Sequence, residues 1–324
     1  MTQPSVSEAR RRPAQAGSPA PGATKKNHSR GSSWLARAAH AFPLYPMMVV
    51  VLLVTQLPFV LTLWYSLNDW NLATSRSGPE FVGFENYATI FHEPEFLQAA
   101  GNTVVMTVGA VVASFIVGLV LALLVNREFR GRGAVRTLLI IPFLVLPAAT
   151  ALLWKNTMLG TTYGIVNWAL GLVGIAPVDW LGQHPMLSVI IILTWQWSPF
   201  FMLILLAGLQ SEDPSTIEAA KVDGATAVAR FRFLTWRHLR PYSELSIVLG
   251  TIYIMQTFDA VYLAAPGSAT TNIPYYLYQR AFRGLEIGQA SAMAVIVLIA
   301  TLIIASVGLR VASNLLKSTE GRAS

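Results

Sequence analysis

Six stretches of this 324-residue chain are apolar over the length a helix needs to cross a bilayer core, about 20 residues. They are residues 43–67, 102–125, 134–154, 186–209, 243–263 and 289–311. Between them the chain turns polar. The alternation predicts an all-α, polytopic membrane protein with six transmembrane helices. Pro58 interrupts the first stretch, and Pro142 and Pro147 interrupt the third. A membrane helix tolerates proline where neighbours satisfy the freed carbonyls. Gly109, Gly118 and several alanines keep the second stretch thin enough for close helix packing.

Composition supports this pattern. Hydrophobic residues make up 54% of the chain and charged residues only 12%, about half the charge of a typical soluble domain. Net charge is +7, but the basic residues lie in loops and tails rather than on one folded surface, so nucleic acid is not the partner they imply. Their distribution reports topology instead. Of the 23 Lys and Arg residues, 19 fall on one side. That side holds seven in the N-terminal tail, Arg127, Arg130, Arg132 and Arg136 after the second stretch, five between Lys221 and Arg240, and three near the C-terminus. Only Arg76, Lys155, Arg280 and Arg283 fall on the other. Both termini and the loop 210–242 are therefore expected in the cytoplasm, in a multi-pass membrane protein.

The resulting organisation has five parts. Residues 1–42 form a basic cytoplasmic tail, too poor in apolar residues to order itself, and lack the short apolar core of a signal peptide. Within it, 33–42 reads either as a surface-lying segment with Trp34 and Leu35 in lipid or as a loose lead-in. Residues 43–67 form the first span and 68–98 an external loop. In that loop the acidic, aromatic stretch 81–100 serves either to dock an external protein or as a connector. Residues 99–313 form the core, and 314–324 a cytoplasmic tail.

The loop 210–242 is longer than a connection requires. Asp213 is a good N-cap and Pro214 suits the first helical position. A helix is expected from Ser215 to about Asp223, ended by a left-handed Gly224. A second helix is expected over 226–238, burying Val228, Phe231, Leu234 and Leu239 and ending at Pro241. The first helix presents small residues, Ala219 and Ala220, beside the charge of Glu218. That pattern suits docking in a groove, although Glu-Ala-Ala is also simply a good helix former.

Glu218-Ala219-Ala220, three further residues, Gly224, and then an apolar-to-basic helix resemble the cytoplasmic signature of permeases of binding-protein-dependent ATP-binding-cassette importers. Three further segments resemble the carbohydrate branch: 199–210, beginning Pro199-Phe200 and ending Leu209-Gln210, then Phe258-Asp259, and then Ser291-Ala292. Leu234-Thr235-Trp236-Arg237 depart from the family's Ile-x-Leu-Pro. The resemblance implies the type I importer permease fold. It implies a second permease subunit, a dimer of ATPase subunits and an external solute-binding protein as partners, besides membrane lipid. It further implies that Glu218, Ala219, Ala220, Asp223 and Gly224 couple to the ATPase. This chain has no phosphate-binding Gly-x-x-x-x-Gly-Lys loop, so ATP and Mg belong to the partner and no cofactor to this chain.

Candidates for the substrate pathway are the polar and aromatic residues within apolar spans: Trp195 and Trp197 in the fourth, and Tyr253, Gln256 and Asp259 in the fifth. Sugars bind by stacking on rings and by hydrogen bonds from amides and carboxylates. The same residue types also mark membrane interfaces and helix contacts. Trp154-Lys155-Asn156, Pro177-Val178-Asp179-Trp180 and 266–272, ahead of Tyr275-Tyr276, resemble polyol permeases. The implied substrate is a sugar or polyol. A stand-alone secondary transporter is the alternative, but it would need ionisable residues within spans and usually an internal repeat, and neither is evident. The five histidines are scattered and show neither metal-ligand spacing nor a catalytic cluster.

Overall fold

The computed structural model describes residues 44–75 and 78–320, with side chains up to Ser306 and at Arg310. The expected N-terminal tail and residues 321–324 lie outside these. The chain divides into a unit ending at Leu57 and a second from Pro58 onward. The described part of the first unit is the start of α1 (Leu44–Ser66). Its side chains from Pro46 to Leu57 are all exposed. An apolar helix exposed all round belongs in lipid.

In the second unit, β1 (Asn68–Asp69) and β2 (Glu80–Phe81) pair antiparallel, Asn68 opposite Phe81. Helices α2 (Glu85–His92), α3 (Pro94–Val125), α4 (Arg132–Leu144) and α5 (Pro147–Leu153) follow. A π-helical turn (Trp154–Met158), α6 (Ile165–Leu172), α7 (Trp180–Gln183) and α8 (Pro185–Gln210) come next. Then come α9 (Pro214–Val222), α10 (Ala227–Arg230), a π turn (Phe231–Thr235) and α11 (Trp236–Met255). The chain ends with a π turn (Ala260–Ala264), α12 (Ile273–Tyr278), a π turn (Gln279–Arg283) and α13 (Ile287–Glu320).

Helices α3, α8 and α11 meet around Phe201, which is fully buried. Their approach is set by glycine. A Cβ on Gly118 would stand 2.6 Å from Phe201 Cβ, and one on Gly250 would stand 2.3 Å from the Phe201 ring. One apolar cluster around Met202, Leu205, Leu206 and Leu239 fills the end of this bundle nearest α9. At the other end Ile90, Phe96, Tyr276 and Met293 join α2, α3, α12 and α13. There Arg280 bonds Glu93, Tyr276 and Glu286 at once.

Three expectations are corrected. Residues 134–154 are not one continuous helix: α4 and the α5 segment meet at 96°. Pro147 confines Leu146 to extended backbone, observed at ψ 132°, and the new helix begins at that proline. The fifth stretch is not one helix either. α11 stops at Met255, and the chain resumes only in the π turn from Ala260. Finally, Pro241 does not end the second loop helix but lies inside α11. The carbonyl it frees belongs to Arg237, an exposed residue, so the helix continues through the proline. Because a π turn takes up an extra residue, the expected buried face is rotated. Leu239 is buried, Phe231 and Leu234 are half-buried, and Val228 is exposed.

Among the described residues, four helices are long and apolar enough to cross a membrane, or five if α4 and α5 count as one broken span. α11 has the length, but Arg237, Arg240 and Glu244 make its first half polar.

Candidate functional site

The 210–242 segment is anchored to the bundle at its root. Ser211 Oγ donates to Gly208 O at 2.9 Å and lies 3.0 Å from His238 Nε2 and 2.9 Å from Tyr242 OH. His238 Nε2 lies 3.1 Å from Gly208 O. No side chain fits at Gly208, where a Cβ would stand 2.7 Å from the Tyr242 ring. The ends of α8 and the start of α11 are thus fixed to each other, and what lies between projects from a rigid base.

Helix α9 forms for local reasons. Asp213 Oδ1 accepts the Ser215 amide at 2.9 Å, and its Oδ2 accepts the Ser215 hydroxyl at 2.7 Å. These two bonds, the hydroxyl's first, hold the Asp213 carboxyl below its ordinary pKa. Pro214 occupies the first helical position. At the other end Gly224 takes φ +80°. Gly224 N donates to Lys221 O at 3.1 Å and Ala225 N to Ala220 O at 2.9 Å, the paired bonds of a Schellman cap. Arg230 Nη1 reaches the Ala225 carbonyl, and Thr226 Oγ1 caps α10.

Ala219, Asp223 and Gly224 are exposed and Ala220 is half-buried. Glu218 is exposed, yet with Glu212, Lys221 and Arg230 it also walls a cavity of about 360 Å³ beneath α9. The segment further displays Val222, which is 87% exposed, with Val228 and Phe233. Val228 was expected on the buried face of the second loop helix, whereas Val222 and Phe233 were not singled out from the sequence and only their exposure reveals them.

The pathway candidates fall into separate groups. Trp197 stacks on Tyr253 at 5.6 Å and 21°, with Phe143 and Phe200 edge-on to Trp197. Tyr253 is 54% exposed. Trp195, two residues away on α8, instead packs on Trp154 at 5.9 Å. Gln256 and Asp259 sit in the break after α11, Gln256 exposed and donating to Ile252 O at 3.2 Å, Asp259 half-buried. Two polar residues serve the broken spans. Gln196 Nε2 reaches Val145 O at 3.4 Å, where α4 stops. Lys155 Nζ donates to Leu263 O at 3.0 Å, in the π turn beyond α11. No group of three or more His, Cys, Asp or Glu able to hold a metal occurs among the described residues.

Known proteins match this arrangement. Residues 103–317 match the family of the binding-protein-dependent transport system inner membrane component. The chain is 38% identical to a probable ABC transporter permease protein, y4oQ, of Sinorhizobium fredii, over 81% of this chain and 85% of that one. It is 33% identical to the trehalose/maltose transport system permease protein MalF of Thermococcus litoralis, over 82% and 90%. In fold it matches a chain from the crystal structure of a bacterial ABC transporter involved in the import of the acidic polysaccharide alginate. That likeness has a TM-score of 0.72 at 22% identity and covers 87% of this chain and 98% of that one. A polar helix held on a rigid root, helices built to cross a membrane, and these matches lead to one statement: the chain belongs to the inner-membrane components of binding-protein-dependent transport systems, the permease subunits of ATP-binding-cassette importers.

Proposed function

We propose that this chain forms half of the translocation pathway of an importer for a sugar or polyol and receives the energy of ATP hydrolysis through α9. The observation that carries the coupling role is α9 itself. It is capped at both ends by its own sequence, and the segment that carries it is anchored through Gly208, Ser211, His238 and Tyr242. Ala219, Ala220, Asp223 and Gly224 form its docking face, and Val222, Val228 and Phe233 widen it with apolar surface. Glu218 works at the seam between α9 and the cavity beneath it. A rigid root turns displacement of α9 into displacement of α8 and α11 together, which is what coupling between a partner and the spans requires.

In this reading the chain crosses the membrane six times, with both termini and α9 in the cytoplasm. The third crossing is α4 continued by the bent α5, and the fifth is the apolar half of α11 continued by the π turn at 260–264. Positive charge on the α9 side supports this orientation. ATP and Mg bind a separate ATPase dimer, and a second permease and an external solute-binding protein complete the machine. The domain limits proposed are 1–42, 43–67, 68–98, 99–313 and 314–324.

The substrate class rests on the trehalose/maltose relative and on the chemistry of the pathway candidates. The Trp197–Tyr253 pair offers a stacked aromatic surface with one exposed ring. Gln256 and Asp259 add hydrogen-bonding groups at a point where the helix is interrupted, and Trp195 supports the pathway wall through Trp154.

The decisive test is co-purification. The chain is co-expressed with its partner permease and ATPase, and retention of the ATPase is compared for wild type and Gly224→Asp. Any Cβ at φ +80° strains the cap. Loss of ATPase from a variant that stays in the membrane supports the coupling role. Undiminished, stoichiometric ATPase on the variant refutes it.

A further inference from the structure

The segment between α5 and α8 carries an apolar outer face at residues 165–175. From Asn156 to Val178 it contains no charged residue at all. A loop in water would bury its apolar residues and expose its polar ones. Here Asn167 is only 6% exposed, whereas Trp168 is 67%, Leu172 70% and Val173 72% exposed. Ile165 and Ile175 are exposed beside them. The buried Asn167 is the organiser. Its amide donates to the carbonyls of Val178 at 2.9 Å and Thr161 at 3.2 Å. Its carbonyl accepts the Val178 amide at 3.1 Å and the Trp180 indole at 3.0 Å. From Ile165 to Ile175 the polar Asn167 is turned inward while Ile165, Trp168, Leu172, Val173 and Ile175 are turned outward, the pattern of a segment whose surroundings are not water.

The geometry of α4 sets the depth. Its 13 residues span about 20 Å at 1.5 Å per residue, short of the roughly 30 Å of a hydrocarbon core. The 96° bend then turns α5 sideways. There Thr150, Ala151 and Trp154 are buried in protein. Residues 160–164 close a turn, Gly164 N donating to Gly160 O at 2.9 Å, so α6 begins beside the end of that buried segment. Irregular backbone exposed to lipid does not occur in the hydrocarbon itself, so the stretches flanking α6 belong in the headgroup layer, where water reaches them.

We infer that residues 163–175 lie in the lipid headgroup layer on the membrane face opposite α9, with Trp168, Leu172 and Val173 inserted toward the acyl chains. Lipid is favoured over a protein partner by what the face lacks. Protein interfaces carry about one hydrogen bond per 100–200 Å², whereas this one offers only the Trp168 indole and the Tyr163 hydroxyl as side-chain groups that could reach across it. An amphipathic indole at a membrane surface is the usual interfacial anchor. With no charge on the segment, seating is independent of headgroup charge. Its role is to hold the break between α4 and α5 at a fixed depth while α8 moves.

The inference rests on the reading that α6 and α9 lie at opposite faces. The chain has no cysteine, so single-cysteine labelling is direct. Leu172→Cys and Val173→Cys are each labelled with bimane in the full complex, built with cysteine-free partner subunits in phosphatidylcholine nanodiscs. Quenching by a headgroup spin-labelled lipid is compared with quenching by aqueous iodide. Glu128→Cys, in the exposed turn between α3 and α4 on the α9 side, is the control and must respond to iodide alone. Both α6 sites should be quenched about threefold or more by the lipid relative to iodide, unchanged when phosphatidylglycerol is added. Iodide-dominated quenching means a water-facing loop, and protection from both means a protein covers it; either overturns the inference. Lipid quenching at Glu128→Cys instead sinks the opposite-face reading, and this inference with it.

Discussion

Replacing Gly118 with alanine adds one methyl group where α3 and α8 leave no room for it. The new Cβ would stand 2.6 Å from Phe201 Cβ and 2.9 Å from both Met202 N and Ser198 O. Favourable contact between heavy atoms begins near 3.5 Å. Two of the three neighbours are main-chain atoms, so no rotamer change relieves the overlap, and the helices must separate by roughly 1 Å to regain van der Waals distance. Overpacking of this kind costs about 1–3 kcal/mol. Alanine regains up to about 1 kcal/mol of helix propensity over glycine. That gain can be removed by comparison, because Gly101 lies on the same helix with nothing within 4 Å of its Cβ position. Gly109 falls between them: its nearest neighbour, at 2.8 Å, is the Cδ1 end of Ile190, which can swing away. Stability should therefore rank Gly101→Ala first, Gly109→Ala second and Gly118→Ala last. The first and last should differ by about 1–3 kcal/mol, or roughly 2–12 °C at 2–4 °C per kcal/mol. The assay is the fraction of monodisperse protein surviving a temperature series in detergent, followed by fluorescence-detected size exclusion. If Gly118→Ala melts with or above Gly101→Ala, α3 and α8 are not in the contact described, and the packing argument fails.

Three other outcomes are expected. Arg280→Met and Glu93→Gln, measured singly and together in the same thermal assay, should show a coupling of about 1–2 kcal/mol from their charge-assisted bond; strict additivity would contradict that tie. Asp213→Ala should speed hydrogen exchange at the Ser215 amide while Asp213→Ser restores protection. Because the folded-state pKa of Asp213 is lowered, its cap is fully present above the ordinary carboxylate pKa and is lost as pH falls through the lowered value. Protection at Ser215 that weakens on raising the pH would reverse that sign. Tyr253→Ala should reduce solute uptake at limiting concentration by about tenfold, near 1.4 kcal/mol for loss of a stacked ring. Trp195→Ala, whose ring packs on Trp154, should lower thermal stability more than uptake, and the opposite pattern would reassign the pathway.

The sequence alone determined what local physics decides. Runs of apolar residues fixed a helical membrane protein, since no other environment satisfies such segments. Asp213-Pro214 and Gly224 fixed the ends of α9, because an N-cap carboxylate, a proline at the first position and a left-handed glycine act within a few residues of themselves. The family signature lies in that same local unit, which is why the family was legible there. Tertiary structure decided which prolines bend the chain. Pro58, Pro142, Pro147, Pro199 and Pro241 all stand in or beside helices, yet the sharp break comes at Pro147, where Gln196 from α8 reaches the stranded Val145 carbonyl. It decided the π turns at 231–235 and 260–264, which rotated Val228 outward and divided the fifth stretch. It also separated Trp195 from Trp197: two positions on one helix lie about 200° apart, and only the neighbours Trp154, Phe143 and Tyr253 settle which surface each serves. Caps and hydrophobicity act over a turn of helix. Bends, faces and pathways depend on partners far away in the chain, and those partners exist only once the bundle has assembled.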